Sequence, residues 1–363
     1  MHRTFKYRLY PNKIQRERLD QSLDLLRVFY NAALQERRDA WKLNRVRISL
    51  ADQSRQIPDI RSCDSDYFTV QARTMTQTLR QLERAFAAFF RRVKNGEKPG
   101  YPRFKGKSFF NSLVYNQTGF RFRGNRLNLS LIGDLKIKIS RPIEGRIKEI
   151  VTRREGEKWF AIITCSEVPA RPLPATNSVI GIDAGIESFA TLSDGTHIAN
   201  NRFYESSQKR LRKAQRKLSR RKKFSNRWKK AVVLVRSIHA TIARQRADFH
   251  HKLSTRLVRG NDLIAVENLN TKGMCRGIIR KHIHDVGWTS FFDMIAYKAE
   301  SAGRVFVKVN PSGTSQTCLC GAEVRKDLSV RWHDCSECGL SEHRDIVSAK
   351  IILARGLRVQ ALT

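Results

Sequence analysis

The stretch Val179-Ile180-Gly181-Ile182-Asp183-Ala184-Gly185 is a short apolar run closed by an acid and a glycine. Such a run reads as a buried strand, which puts Asp183 at a strand's carboxyl end, rigidly held and partly desolvated. Two more acids occupy comparable places. Glu267 follows Leu263-Ile264-Ala265-Val266, and Asp345 opens a helical pattern just past a cysteine pair. Any one of them alone reads as readily as a turn or cap residue; the combination carries the weight. Carboxylates drawn to one point repel each other unless divalent cations neutralise them. A Mg²⁺-dependent phosphodiester-cleaving centre has this electrostatic specification, with two metals roughly 3.5–4 Å apart that activate water and stabilise the leaving oxygen.

The intervening segments predict a strand over 178–183, a hairpin return over 188–192 through Ser193-Asp194-Gly195, and a long helical stretch. A strand over 262–268, a helix over 287–302, a strand over 305–309 and a last helix follow. That succession reads as an RNase H-like mixed α/β fold, in which sites gather at strand ends.

Charge narrows the partner. Seventy Lys and Arg against 33 Asp and Glu give the 363-residue chain a net charge of +37, and the pI is near 10.7. No small substrate requires this, and the self-repulsion costs stability unless a polyanion offsets it. Nucleic acid, bound through phosphates with steep salt dependence, is the expected partner. With 40% hydrophobic residues the chain is long enough for two or more cored domains, and disorder is not the main reading. The N-terminal Met1-His2-Arg3-Thr4-Phe5-Lys6-Tyr7-Arg8-Leu9-Tyr10 lacks a signal peptide's apolar centre, and no stretch approaches a membrane span. A cytoplasmic or nucleoid-associated protein is expected.

Four of the seven cysteines cluster as Cys318-x-Cys320 and Cys335-x-x-Cys338, a spacing suited to a tetrahedral zinc site. Cys63, Cys165 and Cys275 stand alone and read as buried thiols or surface bystanders.

In the N-terminal half, a strand over 5–9 is followed by a helical period from Lys13 to about Asn44, a polar stretch holding Pro58, and a second helix over about 70–93. The second helix has a core stripe of Ala72, Met75, Leu79, Leu82, Ala85, Phe86 and Phe89. Its other face offers Gln71, Arg73, Thr74, Gln77 and Arg80 to base edges or phosphates. A Gly- and Pro-rich basic loop follows, with Tyr101, Arg103, Phe104 and Lys105. Aromatics interleaved with cations suit RNA, although a plain solvated loop has the same composition. Between 112 and 168, alternating Leu127, Leu129 and Leu131, then Leu135, Ile137 and Ile139, predict short strands of a small barrel. The opening strand joins it, which makes the helical pair an insertion. A linker over 170–175 carries Pro172 and Pro174. Thirteen of the 22 residues from Lys209 to Lys230 are Lys or Arg. With an apolar seam of Leu211, Ala214 and Leu218, they predict a helix laid along a nucleic-acid duplex through Lys213, Lys217, Arg220 and Arg221; a solvated face is the alternative.

Taken in order, FKYRLYPNKIQRERL, YNAALQERRDAW, KPGYPRFKG, GIDAGIESFATLSDG, the basic helix, DFHHKLSTRLV, LIAVENLN, DVGWTSFFDMIAYKAESAG and SGTSQTC through RDIVSAKII resemble the TnpB proteins of bacterial and archaeal insertion sequences, RNA-guided DNA endonucleases considered ancestral to the type V CRISPR effectors. The resemblance covers nearly the whole chain. It implies an α+β multidomain protein: a wedge β-barrel over 1–12 and 95–170, a helical recognition insertion over 13–94, a RuvC-like nuclease over 176–312 and 342–363, and a zinc-ribbon insertion over 313–341. Asp183, Glu267 and Asp345 fall on the three RuvC carboxylate positions, with Arg344 beside them to position the scissile phosphate. The implied partners are a noncoding guide RNA from the transposon end and double-stranded target DNA bearing a short adjacent motif, with one protein per guide and 5′-phosphate products. Two departures stand out. The first cysteine pair has one intervening residue where many relatives have two, which leaves His333 or His343 as substitute ligands, and the Asn common two residues after the last Asp is Val347 here. A nuclease-inactive guided repressor and an RNA-independent transposase are the alternatives.

Overall fold

In the computed structural model, residues 1–107, 109–270, 283, 285–327 and 330–361 are described. They form two compact units, Met1–Pro169 and Ala170–Thr363.

The first unit is built on an antiparallel sheet of seven strands in the order β2-β6-β7-β1-β5-β4-β3. The strands are β1 (Arg3–Tyr10), β2 (Ser112–Asn116), β3 (Phe120–Arg123), β4 (Arg126–Leu129), β5 (Gly133–Lys138), β6 (Arg146–Glu155) and β7 (Lys158–Ser166). Edge strands β2 and β3 are separated by three residues, so the sheet is nearly closed. Alternation drives it: Phe5, Tyr7 and Leu9 share one core with Leu127, Leu129, Leu135, Ile137, Trp159, Ala161 and Ile163. The period breaks at Leu131, which lies beyond β4 in a left-handed turn and is exposed, while Ile132 takes the buried place.

Helix α1 (Lys13–Asn44) starts at Asn12, whose Oδ1 accepts from the Gln15 amide at 2.8 Å while Gln15 Oε1 accepts from the Asn12 amide. This reciprocal cap satisfies two amides that the first turn leaves unpaired. The stretch around Pro58 is not loop. It forms α2 (Leu50–Arg55), α3 (Ile57–Cys63) and a 3₁₀ turn before α4 (Ala72–Lys94). A capping box at Ser49 starts α2, and Pro58 sits in the first turn of α3, where a missing amide costs nothing.

The second unit holds a five-stranded sheet, β10-β9-β8-β11-β12, made of β8 (Val179–Asp183), β9 (Ser188–Leu192), β10 (His197–Ala199), β11 (Leu263–Glu267) and β12 (Val305–Val309). Strands β8, β11 and β12 are mutually parallel; β9 runs antiparallel to β8, and β10 antiparallel to β9. Ser193-Asp194-Gly195 turns β9 into β10 rather than closing the first hairpin. Ile180, Ile182, Ile264 and Val266 face a core with α7 (Trp288–Ala302), while Leu263 and Ala265 face α8 (Arg344–Ala361). The basic run is not one helix. It breaks at residues 220–225 into the hairpin of α5 (Phe203–Ser219) and α6 (Asn226–Gly260), with Phe224 in the left-handed region and Ser225 capping α6. Leu211 and Ala214 pack on Ile238 and Ile242.

The proline segment is pinned to this unit. Arg171 and Leu173 amides donate to Ser301 and Ala302 carbonyls, and Arg304 donates to the Pro174 carbonyl. The Asp262 carboxylate accepts from both Thr176 and Asn177 amides and pairs with Arg304. Among the described residues no helix is long and apolar enough to cross a membrane.

Candidate functional site

Strand register builds the acidic site. In the parallel pair β8 and β11, Leu263 lies opposite Val179, Ala265 opposite Gly181 and Val266 opposite Ile182, which sets Glu267 beside Asp183. Adjacent strands lie about 4.8 Å apart and side chains alternate faces, so both acids point to the face that carries Gly181 and Ala265. Helix α8 covers that face. A Cβ on Gly181 would run into the Ala349 carbonyl and come within 2.8 Å of Leu353 Cβ, and one on Gly356 would come within 2.5 Å of Ala265 Cβ. The helix therefore crosses from β8 to β11, with Ala349 over Gly181 and Gly356 over Ala265, the residue paired with Gly181. Asp345, one turn before Ala349, comes close enough to Asp183 for its charge to raise that carboxyl.

The electrostatics match this placement. The Asp183 carboxyl is pushed up to about 8, first by burial, then by the charges of Glu267 and Asp345. Glu267 is 8% exposed. Burial raises its carboxyl as well, while a 2.5 Å hydrogen bond from Thr314 Oγ1 and the Arg355 guanidinium pull it back. Asp345 faces Arg344, whose Nε lies 3.5 Å from Oδ1. Arg344 also donates to the Asp327 and Val330 carbonyls, so part of the guanidinium assigned to a phosphate is engaged with the chain. The acids thus sense one another, two of them also have partners of their own, and their carboxylate oxygens do not all come within 4.8 Å of one another.

The four cysteines do. Cys318, Cys320, Cys335 and Cys338 bring their sulfurs within 4.8 Å of one another, the one such group among the described residues. The Cys318–Cys338 and Cys320–Cys335 sulfurs are 3.6 and 3.7 Å apart. Four thiolates around zinc at about 2.3 Å have edges of roughly 3.7–3.8 Å. The tighter Cys-x-Cys knuckle therefore fits, and neither histidine is needed. His333 is buried against Lys326, and His343 stacks edge-on with His197. Backbone amides of Cys338 and Glu337 bring the Cys335 thiol down to about 7, while burial lifts Cys318 to about 12. A hairpin of β13 (Trp332–Asp334) and β14 (Ser341–His343) flanks the second pair, and β14 runs straight into α8.

The nucleic-acid candidates divide. Lys213, Lys217, Arg220 and Arg221, with Lys209, Arg212 and Arg216, line an open groove of 750 Å³ walled by cations alone. Tyr101 and Arg103 are exposed, and Lys105 is half-buried. On α4 the expected open face is in part closed: Thr74 is 3% and Gln77 6% exposed. The helix buries a wider arc than its apolar stripe, and these two polar side chains lie within it. Gln71 is half-buried, and Arg73 donates to Thr118 Oγ1 at 2.6 Å. Cys165 is a buried core thiol and Cys63 is exposed; Cys275 lies outside the described residues.

Sequence reasoning missed Thr314, Arg355 and Gly181. Gly181 left a signal, since a glycine inside an apolar strand marks a close backbone approach. Thr314 and Arg355 left none.

Residues 162–277 match a family model described as "Probable transposase" (OrfB_IS605), and residues 288–352 match a Cas12f1-like TNB domain. Residues 1–45 match a helix-turn-helix domain, although here they form β1 and the single long helix α1. A protein of Streptomyces pristinaespiralis named "Putative RNA-guided DNA endonuclease" is 37% identical over 99% of this chain and 90% of its own. The Escherichia coli protein InsQ, named likewise, is 30% identical over 79% of this chain and 75% of its own. A TnpB-like protein of Methanocaldococcus jannaschii is 30% identical over 34% of this chain and 30% of its own. Among solved structures, a Cas12f1–sgRNA–target DNA complex aligns with TM-score 0.37 and 15% identity over 97% of this chain and 99% of that one. With sequence identity sustained along almost its entire length, the chain belongs to the TnpB family.

Proposed function

We propose that the chain is an RNA-guided DNA endonuclease that carries a transposon-derived guide RNA, requires a short adjacent DNA motif and hydrolyses phosphodiester bonds with Mg²⁺. The observation that carries the reading is the register that sets Glu267 beside Asp183 on the face crossed by α8, with the Asp183 carboxyl raised by burial and then by the charges of Glu267 and Asp345. Three hard oxygen donors with excess negative charge suit Mg²⁺, which when bound would supply activation of water and charge neutralisation at the leaving oxygen.

The chain's residues divide the remaining work. Thr314 and Arg355 favour the ionised form of Glu267. Asp345 stands in the first turn of α8, where the helix's positive end favours its charge. The cationic groove on α5 would hold phosphates, with Arg73, Arg103 and Lys105 as further contacts. Cys318, Cys320, Cys335 and Cys338 would hold a structural zinc. In this reading residues 1–12 with 95–170 are the wedge, 13–94 the recognition insertion, 176–312 with 342–363 the RuvC-like nuclease, and 313–341 the zinc ribbon.

The test is cleavage. Purified protein with its co-purifying RNA should cut matched duplex only when Mg²⁺ is added, and Asp183→Ala should abolish cutting while RNA and DNA binding persist. Loss of binding in that variant counts against the assignment. The engaged partners of Glu267 and Asp345 favour a second reading, a guided binder without scission; matched duplex bound but intact at every Mg²⁺ concentration would establish it. Cleavage that survives ribonuclease treatment would point instead to an RNA-independent transposase.

A further inference from the structure

The loop after α4 is fixed rather than free. Arg92 Nη2 donates to the Gly100 carbonyl at 3.0 Å. Five residues on, Asn31 grips Lys105 by both backbone groups, its Nδ2 donating to the carbonyl at 3.0 Å and its Oδ1 accepting from the amide at 2.7 Å. Within the loop the Tyr101 ring meets Phe86 and Phe89 edge-on, centroids 5.6 and 5.4 Å apart. The clamped segment frames an open cavity of 370 Å³ lined by Arg38, Tyr101, Pro102, Arg103 and Phe104, with Leu34 at its base.

That volume lies in the roughly 300–1,000 Å³ range of small-ligand sites, and its walls have one chemical character. Tyr101 is 45% and Phe104 47% exposed, so two rings that would ordinarily be covered offer surface to a ligand. Arg38 and Arg103 are exposed and make no ion pair among the described residues, and no acid lines the cavity. Flat apolar walls beside unpaired guanidinium groups suit a planar ring carried on an anionic backbone. Fixing the loop in advance removes the ordering cost that a mobile loop would meet on binding.

We infer that this cavity takes one unstacked nucleobase of single-stranded RNA, stacked on Phe104 and Tyr101, with Arg38 and Arg103 on the flanking phosphates. The inference rests on the reading of the chain as RNA-guided. RNA is the source because loops and single strands present unstacked bases, whereas the bases of a target duplex are paired.

The experiment uses the full-length protein and a short single-stranded RNA carrying 4-thiouridine at successive positions, beside a DNA of the same sequence carrying 4-thiothymidine at those positions. Photo-cross-links mapped by mass spectrometry should fall on residues 101–104 with RNA. Phe104→Ala should weaken RNA binding about fivefold or more, and Phe104→Tyr should restore it. Arg38→Gln should lower the slope of log affinity against log salt by about 0.7. RNA bound tightly, cross-linked elsewhere and indifferent to Phe104→Ala would overturn the inference alone. Cross-links from DNA but not RNA would overturn it too. No RNA binding at all would remove it together with the reading it rests on.

Discussion

Replacing Asp183 by Asn should stabilise the metal-free protein, by an amount that grows with pH. Burial and the neighbouring Glu267 and Asp345 raise the Asp183 carboxyl from its ordinary 3.8 to about 8. An acid whose folded pKa lies above its unfolded one holds its proton more tightly when folded. Stability contributed by that proton is complete below pH 3.8, falls as pH rises towards 8, and is gone above it. At about 1.36 kcal/mol per pK unit the full span is roughly 5–6 kcal/mol. Asn has the shape of the protonated acid and no charge to bury. Urea unfolding of both proteins in EDTA, from pH 5 to pH 9, should therefore give an advantage to Asp183→Asn that widens to about pH 8 and then levels off. Added Mg²⁺ should stabilise the wild type, close the gap and release close to one proton per protein at pH 7. A difference that stays flat across this range, or a Mg²⁺ response equal in both proteins, would refute the shared acidic site.

Other perturbations address other parts of the fold. Gly181→Ala drives a methyl into the Ala349 carbonyl and should cost about 1–3 kcal/mol by overpacking; by pushing α8 outward it should also lower cleavage, which a melting curve and a cleavage assay on one sample would separate from simple unfolding. Thr314→Val removes the donor to Glu267, so the Glu267 carboxyl should rise further and the acidic limb of the pH–rate profile move to higher pH. Cys320→Ser should abolish one equivalent of zinc, read by atomic absorption, while Cys63→Ser leaves it unchanged; structural zinc contributes about 10–16 kcal/mol of apparent binding energy in finger peptides.

The strands carrying Asp183 and Glu267 were legible because a buried parallel strand must be apolar on both faces, which leaves a short run that any reader can bracket. Helix α1 was legible from its period, down to its first and last residues, because Pro11 and Asn12 terminate one element and cap the next. The face of α4 was not. Thr74 and Gln77 look polar in sequence, but how wide an arc a helix buries depends on what packs against it, and the period of α4 carries no record of the α1, β2 and α2–α3 segments that do. The break in the basic run was hidden for a related reason. Lysines and arginines propagate a helix well, and Ser225 as a cap gains meaning only once α6 is seen to fold back on Leu211 and Ala214.

The cysteine cluster and the acidic centre, read as separate features in sequence, are mechanically joined. Strand β14 ends at His343 and α8 begins at Arg344, with no residue between them. The junction is held at several points: the Arg344 amide donates to the Arg331 carbonyl, the Asp345 amide meets His343 Nδ1 at 3.3 Å, and Lys350 pairs with Glu342 at 2.7 Å. Whatever fixes the hairpin between Cys335 and Cys338 therefore fixes the entry direction of α8, and a helix that enters at the wrong angle carries Asp345 away from Asp183. Gly181 and Gly356 set how closely α8 lies on the sheet; the cysteines set where it starts. The third acid is thus positioned by two constraints, one from each end of its neighbourhood. In the proposed nuclease, zinc held by the four cysteines would therefore act on catalysis through helix geometry, not only through the stability of its own small fold.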